Sequence, residues 1–326
     1  MPEMQPPTLR DVYDARPRVY KHLRPTPLLA HPLLASEIGT PVYVKHENHN
    51  PTGAFKIRGG LNLVATLGAA ERSAGVVTAS TGNHGQSLAM ACGLHQVPCT
   101  IYVPVANNPE KNAAMRGYGA TVIEHGRDFD DARARCERDA LVRGCRYVHP
   151  ANEPLLLAGV ATYALEIFEE LPRVDVIFVP IGGGSGASGL VTVRTALGNS
   201  ARIIGVQAAR ADAFARSWRT GSRVVGDHAD TFAEGLATRV TFDLTYDLLA
   251  KELDDIMTLS EDELAEGVRL ALRATHNLAE GAGAASLMAA WTLRRELTGK
   301  TVVCVMSGGN MDTTVLRRIL SAAGEE

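Results

Sequence analysis

Seven short apolar runs, mostly β-branched, recur along the chain: "GVVTAS", "CTIYVP", "ATVIEH", "CRYVHP", "VDVIFVPI", "ARIIGVQA" and "KTVVCVMS". Such runs read as strands buried on both faces. Between most of them lie stretches with helical spacing, such as "HGQSLAMACGLHQ", "DFDDARARCERDALVRG" and "PLLLAGVATYALEIFEELP". "SEDELAEGVRLALRATHN" opens with Ser260 and Glu263 in capping-box positions. Strands alternating with helices imply parallel α/β sheets covered on both faces. No internal repeat or low-complexity tract interrupts the alternation. A length of 326 residues fits roughly two domains. The expected architecture is therefore two α/β domains, each an open, mostly parallel, twisted sheet flanked by helices. One would span residues 47–150. The other would combine residues 1–46 with 151–326.

Composition narrows the function classes. A net charge of −3, with both signs interspersed, offers no basic surface for nucleic acid or an anionic membrane. No apolar run is long enough to span a bilayer, and the polar, Pro-rich start lacks a signal-peptide core. Five scattered cysteines without a CxxC pair fit a reducing compartment, so a cytoplasmic protein is expected. Cys304, inside "TVVCVM", reads as a buried, inert thiol. "DFDD" resembles a calcium-loop fragment but lacks that loop's Gly and final Glu. It reads as acids opening a helix.

Open α/β sheets bind ligands beyond the C-terminal ends of their strands. Three loops in such positions carry chemistry. "STGNHGQSLA" crowds Ser80, Thr81, Asn83 and His84 into a turn that opens a helix. It serves either as a helix cap or as a cradle for a carboxylate. "GGGSGASGL" places Gly182, Gly183, Gly184, Ser185, Gly186 and Gly189 between a strand and a helix, a design suited to phosphate. Gly184-x-Gly186-x-x-Gly189 also matches the dinucleotide fingerprint. That fingerprint needs an acid at the end of the next strand, where this chain has Gln207. The phosphate reading survives and the dinucleotide reading loses ground. "SGGNMD" puts Ser307 at the end of a buried strand. A fourth element, "NHNPTGAFKIRGGLNLV", sets Lys56 behind a constrained turn. A phosphate cradle, a carboxylate cradle and a fixed lysine together match the needs of pyridoxal phosphate acting on an amino acid.

These motifs resemble the fold-type II pyridoxal-phosphate enzymes (the tryptophan-synthase β-like fold), the group of threonine/serine dehydratases and serine racemase. "TGAFKIRGGLN" resembles the family's lysine motif, "STGNHGQS" its asparagine loop, "GGGSGASG" its phosphate loop and "MSGGN" its ring-nitrogen motif. "RPTPLL" and "AEGAGA" also fit, in order, over essentially the whole chain. The resemblance implies that Lys56 carries the Schiff base to pyridoxal 5'-phosphate, with Phe55 packing beside the cofactor. Asn83 bonds the ring oxygen, Gly182 to Gly186 (including Ser185) seat the phosphate, and Ser307 faces the pyridine nitrogen. Ser80, Thr81, Asn83 and His84 hold the substrate carboxylate. Gly235 and Glu280 match further cofactor positions. His84, at a helix start, reads better as a hydrogen-bonding or packing residue than as a base. The resemblance also implies that the 47–150 domain is the smaller, mobile one, and that the protein is a homodimer or homotetramer.

The implied reaction is a β-elimination. Substrate displaces Lys56, whose freed amine removes the Cα proton. The β-hydroxyl leaves, protonated by the cofactor phosphate, and the enamine hydrolyses to a 2-oxo acid and ammonia. A neutral hydroxyl at Ser307 does not force the ring nitrogen to be protonated. The weaker electron sink suits elimination better than transamination. L-Threonine and L-serine are the expected substrates. Departures from the family widen the choice. Thr81 stands where racemases have serine and many dehydratases alanine, so a racemase is the alternative. Ser185 stands where many threonine dehydratases have glycine, which brings in phenylserine or hydroxyaspartate. The divalent-metal site of racemase-like members falls on Gln207 and Ala213, so that site is expected to be absent or weakened. The chain ends after "ILSAAGEE", so a C-terminal regulatory domain is not expected.

Overall fold

The computed structural model describes residues 4–322. The chain end read above lies partly outside the described residues. Ten strands occur among the described residues: β1 Leu28–Ala30, β2 Val42–His46, β3 Val76–Ala79, β4 Cys99–Val103, β5 Thr121–Glu124, β6 Arg146–Tyr147, β7 Val176–Pro180, β8 Arg202–Ala208, β9 Asp255–Leu259 and β10 Val302–Met306. They form two sheets, in the orders β1-β2-β10-β7-β8-β9 and β5-β4-β3-β6. Every pairing is parallel except β1 with β2.

The chain divides into two units by its contacts. The first unit takes the described residues through Arg24 and Lys56–Thr162; the second takes Pro25–Phe55 and Tyr163 onward. These borders differ from those at 46/47 and 150/151 read from the sequence. The helix Leu9–Tyr20 buries Val19 against Ile57, Leu61 and Leu156, and so belongs with the four-stranded sheet. Residues 47–55 follow β2 and bridge back to the end of β10 through Ala54 and Gly308, so they stay with the six-stranded sheet.

In the second unit β8 and β10 are buried almost throughout. The helix Gly281–Thr292, rich in Gly and Ala, lies close on β10, and Ser286 Oγ donates to the Val305 carbonyl at 3.0 Å. Cys304 lies in this core, and burial raises its thiol well above the ordinary value. β2 carries two polar residues inside the core. Lys45 Nζ lies 2.5 Å from Glu166 Oε2 and donates to the Thr26 carbonyl at 2.6 Å. Thr26 Oγ1 donates to Glu47 Oε1, whose partner oxygen accepts from Asn50 Nδ2 at 2.9 Å. This satisfied buried network fixes the segment that leads to Lys56.

His46 ends β2 with its Nε2 2.8 Å from His31 Nε2, and the ring of His49 stacks on it. Burial, then the neighbouring His49, His31 and Lys45, lower His46 to about 4, and burial lowers His31 in the same direction. A depressed histidine binds its proton later in the folded chain than in the unfolded one. Its contribution is therefore present above the unfolded value near 6.5 and is lost as pH falls toward the folded value. Urea unfolding is expected to show a loss of about 2 kcal/mol between pH 7.5 and 5 from His46. A His46→Gln variant should show a correspondingly shallower slope.

In the first unit the helices Lys56–Thr66 and Asn83–His95 pack tightly. The glycine pair of "KIRGG" explains how. A Cβ on Gly60 would stand 2.5 Å from Ser87 Oγ, and one on Gly59 would stand 2.8 Å from the Leu156 carbonyl of a third helix, Pro154–Val160. Asp128 caps the helix Phe129–Arg143 through the Asp131 N–H, and Ser260 and Glu263 form their capping box, as their sequences imply.

Candidate active site

The first unit brings together Lys56 and the 80–84 loop. Lys56 opens its helix, and Ser87 Oγ, from the helix that follows the loop, donates to the Lys56 carbonyl at 2.6 Å. The Lys56 side chain is half-buried. Its Nζ reaches the Pro150 carbonyl at 3.5 Å, and burial lowers the amine to about 8. An amine lowered this far is partly neutral near pH 7, as a nucleophile or base must be.

The loop after β3 is held by its own side chains. Ser80 Oγ accepts from the Gly85 N–H at 2.9 Å and the Gly82 N–H at 3.3 Å. His84 is buried, with Nε2 3.1 Å from Thr78 Oγ1 and a bond to the Val148 backbone. Burial, followed by the charge of Lys56, pushes His84 down to about 3, so the ring stays neutral. Of the residues expected at a carboxylate, Ser80 and His84 are thus engaged within the unit. Thr81 and Asn83 lie on its partly exposed turn.

The second unit gathers Phe55, the 182–186 loop, Gly235, Glu280 and Ser307. The loop follows β7 and opens the helix Ser185–Ala196, with Gly184 in the left-handed region at φ 87°. A Cβ on Gly182 would overlap the Gly235 carbonyl oxygen, and one on Gly186 would stand 3.4 Å from the Phe55 ring. The Phe55 N–H donates to the Ser307 carbonyl at 3.1 Å. Ser307 is buried just beyond β10. The Glu280 N–H donates to the Gly308 carbonyl at 3.1 Å, and its Oε1 lies 3.7 Å from where a Gly235 Cβ would be. A glycine turn before a helix N-terminus suits a phosphate ester, and a lysine that loses its proton near neutrality suits an aldehyde. Both features fit pyridoxal phosphate.

Sequence reasoning overlooked several supports. Asn310 Nδ2 donates to the Thr52 carbonyl at 2.7 Å and so holds the turn before Lys56. It sits within "SGGN", where only Ser307 drew attention. Tyr163 OH donates to the Gly186 carbonyl and Thr245 Oγ1 to the Gly183 carbonyl. Neither carries a motif signal. Gln207 turns inward on the Ile181 carbonyl and the Ala215 N–H, so β8 ends on an amide with both its polar ends engaged.

The sequence pattern of pyridoxal-phosphate-dependent enzymes matches residues 19–308. The chain belongs to this family. The enzyme is 39% identical to the L-threonine ammonia-lyase of Geobacter sulfurreducens, over 98% of this chain and 80% of that protein. It is 34% identical to the L-threo-3-hydroxyaspartate ammonia-lyase of Saccharomyces cerevisiae, over 94% of each. The structure of maize serine racemase superposes with a TM-score of 0.90 at 26% identity, covering 97% of this chain and 98% of that one. The enzyme has the type II fold, and its cofactor is pyridoxal phosphate. No helix among the described residues is long and apolar enough to cross a membrane.

Proposed function

We propose that the enzyme removes the β-hydroxyl and the amino group of a β-hydroxy amino acid, L-threonine or L-serine first, giving a 2-oxo acid and ammonia. The observation that carries this reading is the near full-length likeness to an L-threonine ammonia-lyase, 39% identical over 98% of this chain, with Lys56 opening its helix beside the 80–84 loop. Lys56 is the covalent anchor in the resting enzyme and the base that takes the Cα proton at Nζ. Pyridoxal phosphate, when bound, supplies the electron sink for the charge left at Cα. Phe55, Gly182, Gly183, Gly184, Ser185, Gly186, Gly235 and Glu280 would seat the cofactor, with Asn83 at its ring oxygen. Ser307 would offer the ring nitrogen a neutral hydroxyl. Thr81 and Asn83, with the backbone of the 80–84 turn, orient the substrate carboxylate. Water lost in the elimination is regained when the enamine hydrolyses, so the net products are the oxo acid and ammonia. We place the enzyme in the cytoplasm as a homodimer or homotetramer.

Racemisation is the second reading, because Thr81 keeps a hydroxyl on a partly exposed turn. The substrate is tested by kcat/KM for L-threonine, L-serine, L-threo-3-hydroxyaspartate and phenylserine. L-Threonine or L-serine should lead. A lead of tenfold or more for hydroxyaspartate or phenylserine would move the assignment to that acid.

A further inference from the structure

Gln207 is singled out by the sequence for what it is not: an acid at the end of β8. Its surroundings give it a positive role. β8 runs beside β7, and the Val206 carbonyl accepts from the Ile181 N–H at 2.8 Å. Ile181 is the last residue before the glycine loop. Gln207, with no exposed surface, donates from Nε2 to the Ile181 carbonyl at 3.1 Å. Its Oε1 accepts from the Ala215 N–H, in the helix Ala213–Thr220, at 2.8 Å. Ile181 is therefore held at both its N–H and its carbonyl. The site needs a donor and an acceptor on one side chain of this length. A primary amide has both, a carboxylate lacks the donor, and an ammonium lacks the acceptor.

The same treatment extends along the loop. Thr245 Oγ1, from the helix Asp243–Glu252, donates to the Gly183 carbonyl at 2.8 Å. Tyr163 OH, fully buried, donates to the Gly186 carbonyl at 2.9 Å. Three carbonyls of one short loop are thus each held by a side chain from a different element, and a fourth, that of Gly182, accepts from Thr238 Oγ1 at 3.4 Å. A loop that binds a phosphate must present N–H groups and keep its carbonyl oxygens away from the anion. Donors fixed beforehand cost no rearrangement when the anion arrives.

We propose that Gln207 is a positioning residue for the phosphate of the cofactor, acting with Thr245 and Tyr163 to hold the carbonyls of the 181–186 loop on protein donors. The proposal rests on the reading of residues 182–186 as the phosphate seat. Its test compares pyridoxal phosphate with pyridoxal, which lacks the phosphate. Both are titrated into the full chain freed of cofactor, for the wild type, Gln207→Glu and Thr245→Val. Ser217→Ala is the control. Ser217 is equally buried and bonds the Ala213 carbonyl and the Val224 N–H, away from the loop.

The wild type should prefer pyridoxal phosphate strongly. Gln207→Glu and Thr245→Val should each weaken pyridoxal phosphate by about tenfold or more, the cost of an unpaired buried carbonyl, and leave pyridoxal within about twofold. Ser217→Ala should lower the melting temperature without changing the ratio. Should Gln207→Glu fail to fold, Thr245→Val carries the test. A wild-type preference that both variants keep, or equal losses for both ligands, would overturn the positioning role alone. A wild type with no preference for the phosphorylated ligand would overturn the phosphate seat and the positioning role together.

Discussion

A Lys56→Ala protein is expected to turn over L-threonine about 10³-fold more slowly or worse, because one change removes both the covalent anchor and the base. The amine owes its lowered value of about 8 to burial. At pH 7 roughly a tenth of such an amine is neutral, against well under a thousandth of an ordinary lysine near 10.4. The sign follows directly. The reactive neutral fraction grows as pH rises, with a midpoint near 8, so cofactor capture by the stripped enzyme should accelerate between pH 6.5 and 8.5. Circular dichroism and the melting temperature of the variant check that it still folds, so that the loss of turnover reports the amine and not the fold. Borohydride treatment of the wild type should fix the cofactor on the peptide containing Lys56 and on no other. A variant with a tenth or more of the wild-type rate would remove Lys56 from its role.

Gly182→Ala should be nearly as damaging by a different route. The added methyl would overlap the Gly235 carbonyl oxygen and come within 3.5 Å of the Leu236 Cα. Both obstacles are backbone, so no rotamer relieves the clash. Either the loop or the 234–236 turn must move, at a cost of about 3 kcal/mol. Cofactor affinity should fall by about 100-fold, the equivalent of that figure, with a lower melting temperature. Gly117→Ala is the control, because nothing lies within 4 Å of its added methyl. Equilibrium titration with pyridoxal phosphate checks both. Unchanged affinity in Gly182→Ala would mean the phosphate sits elsewhere.

How far the sequence could be read follows from where its polarity falls. β7 and β10 stand out because both faces are buried and nearly every residue is apolar. β2 does not stand out, since "VYVKH" holds a lysine and a histidine. Their partners, Glu166 and His31, supply what a strand pattern cannot show. The contact-defined unit borders fall elsewhere for a related reason. Val19 finds its apolar partners beyond residue 56, a pairing that only the folded chain reveals. At the candidate site, Lys56 and the glycine loop stood out in the sequence because the chemistry proposed for them demands unusual neighbours. Tyr163, Thr245 and Asn310 were not, because each acts on a backbone carbonyl, which any sequence possesses. His84 lies in a motif, and its ring bonds Thr78 and the Val148 backbone and stays neutral, the hydrogen-bonding place that a histidine at a helix start suggests.

The most direct test follows one incubation of the cofactor-loaded enzyme with L-threonine and then with L-serine. Ammonia, the 2-oxo acid and the configuration of the remaining amino acid are measured together. The expected result is ammonia and oxo acid (2-oxobutanoate from threonine, pyruvate from serine) in equal amounts, with the remaining substrate still L. Accumulation of the D-configured or C2-epimerised amino acid without ammonia would contradict elimination as the main reaction and establish racemisation in its place.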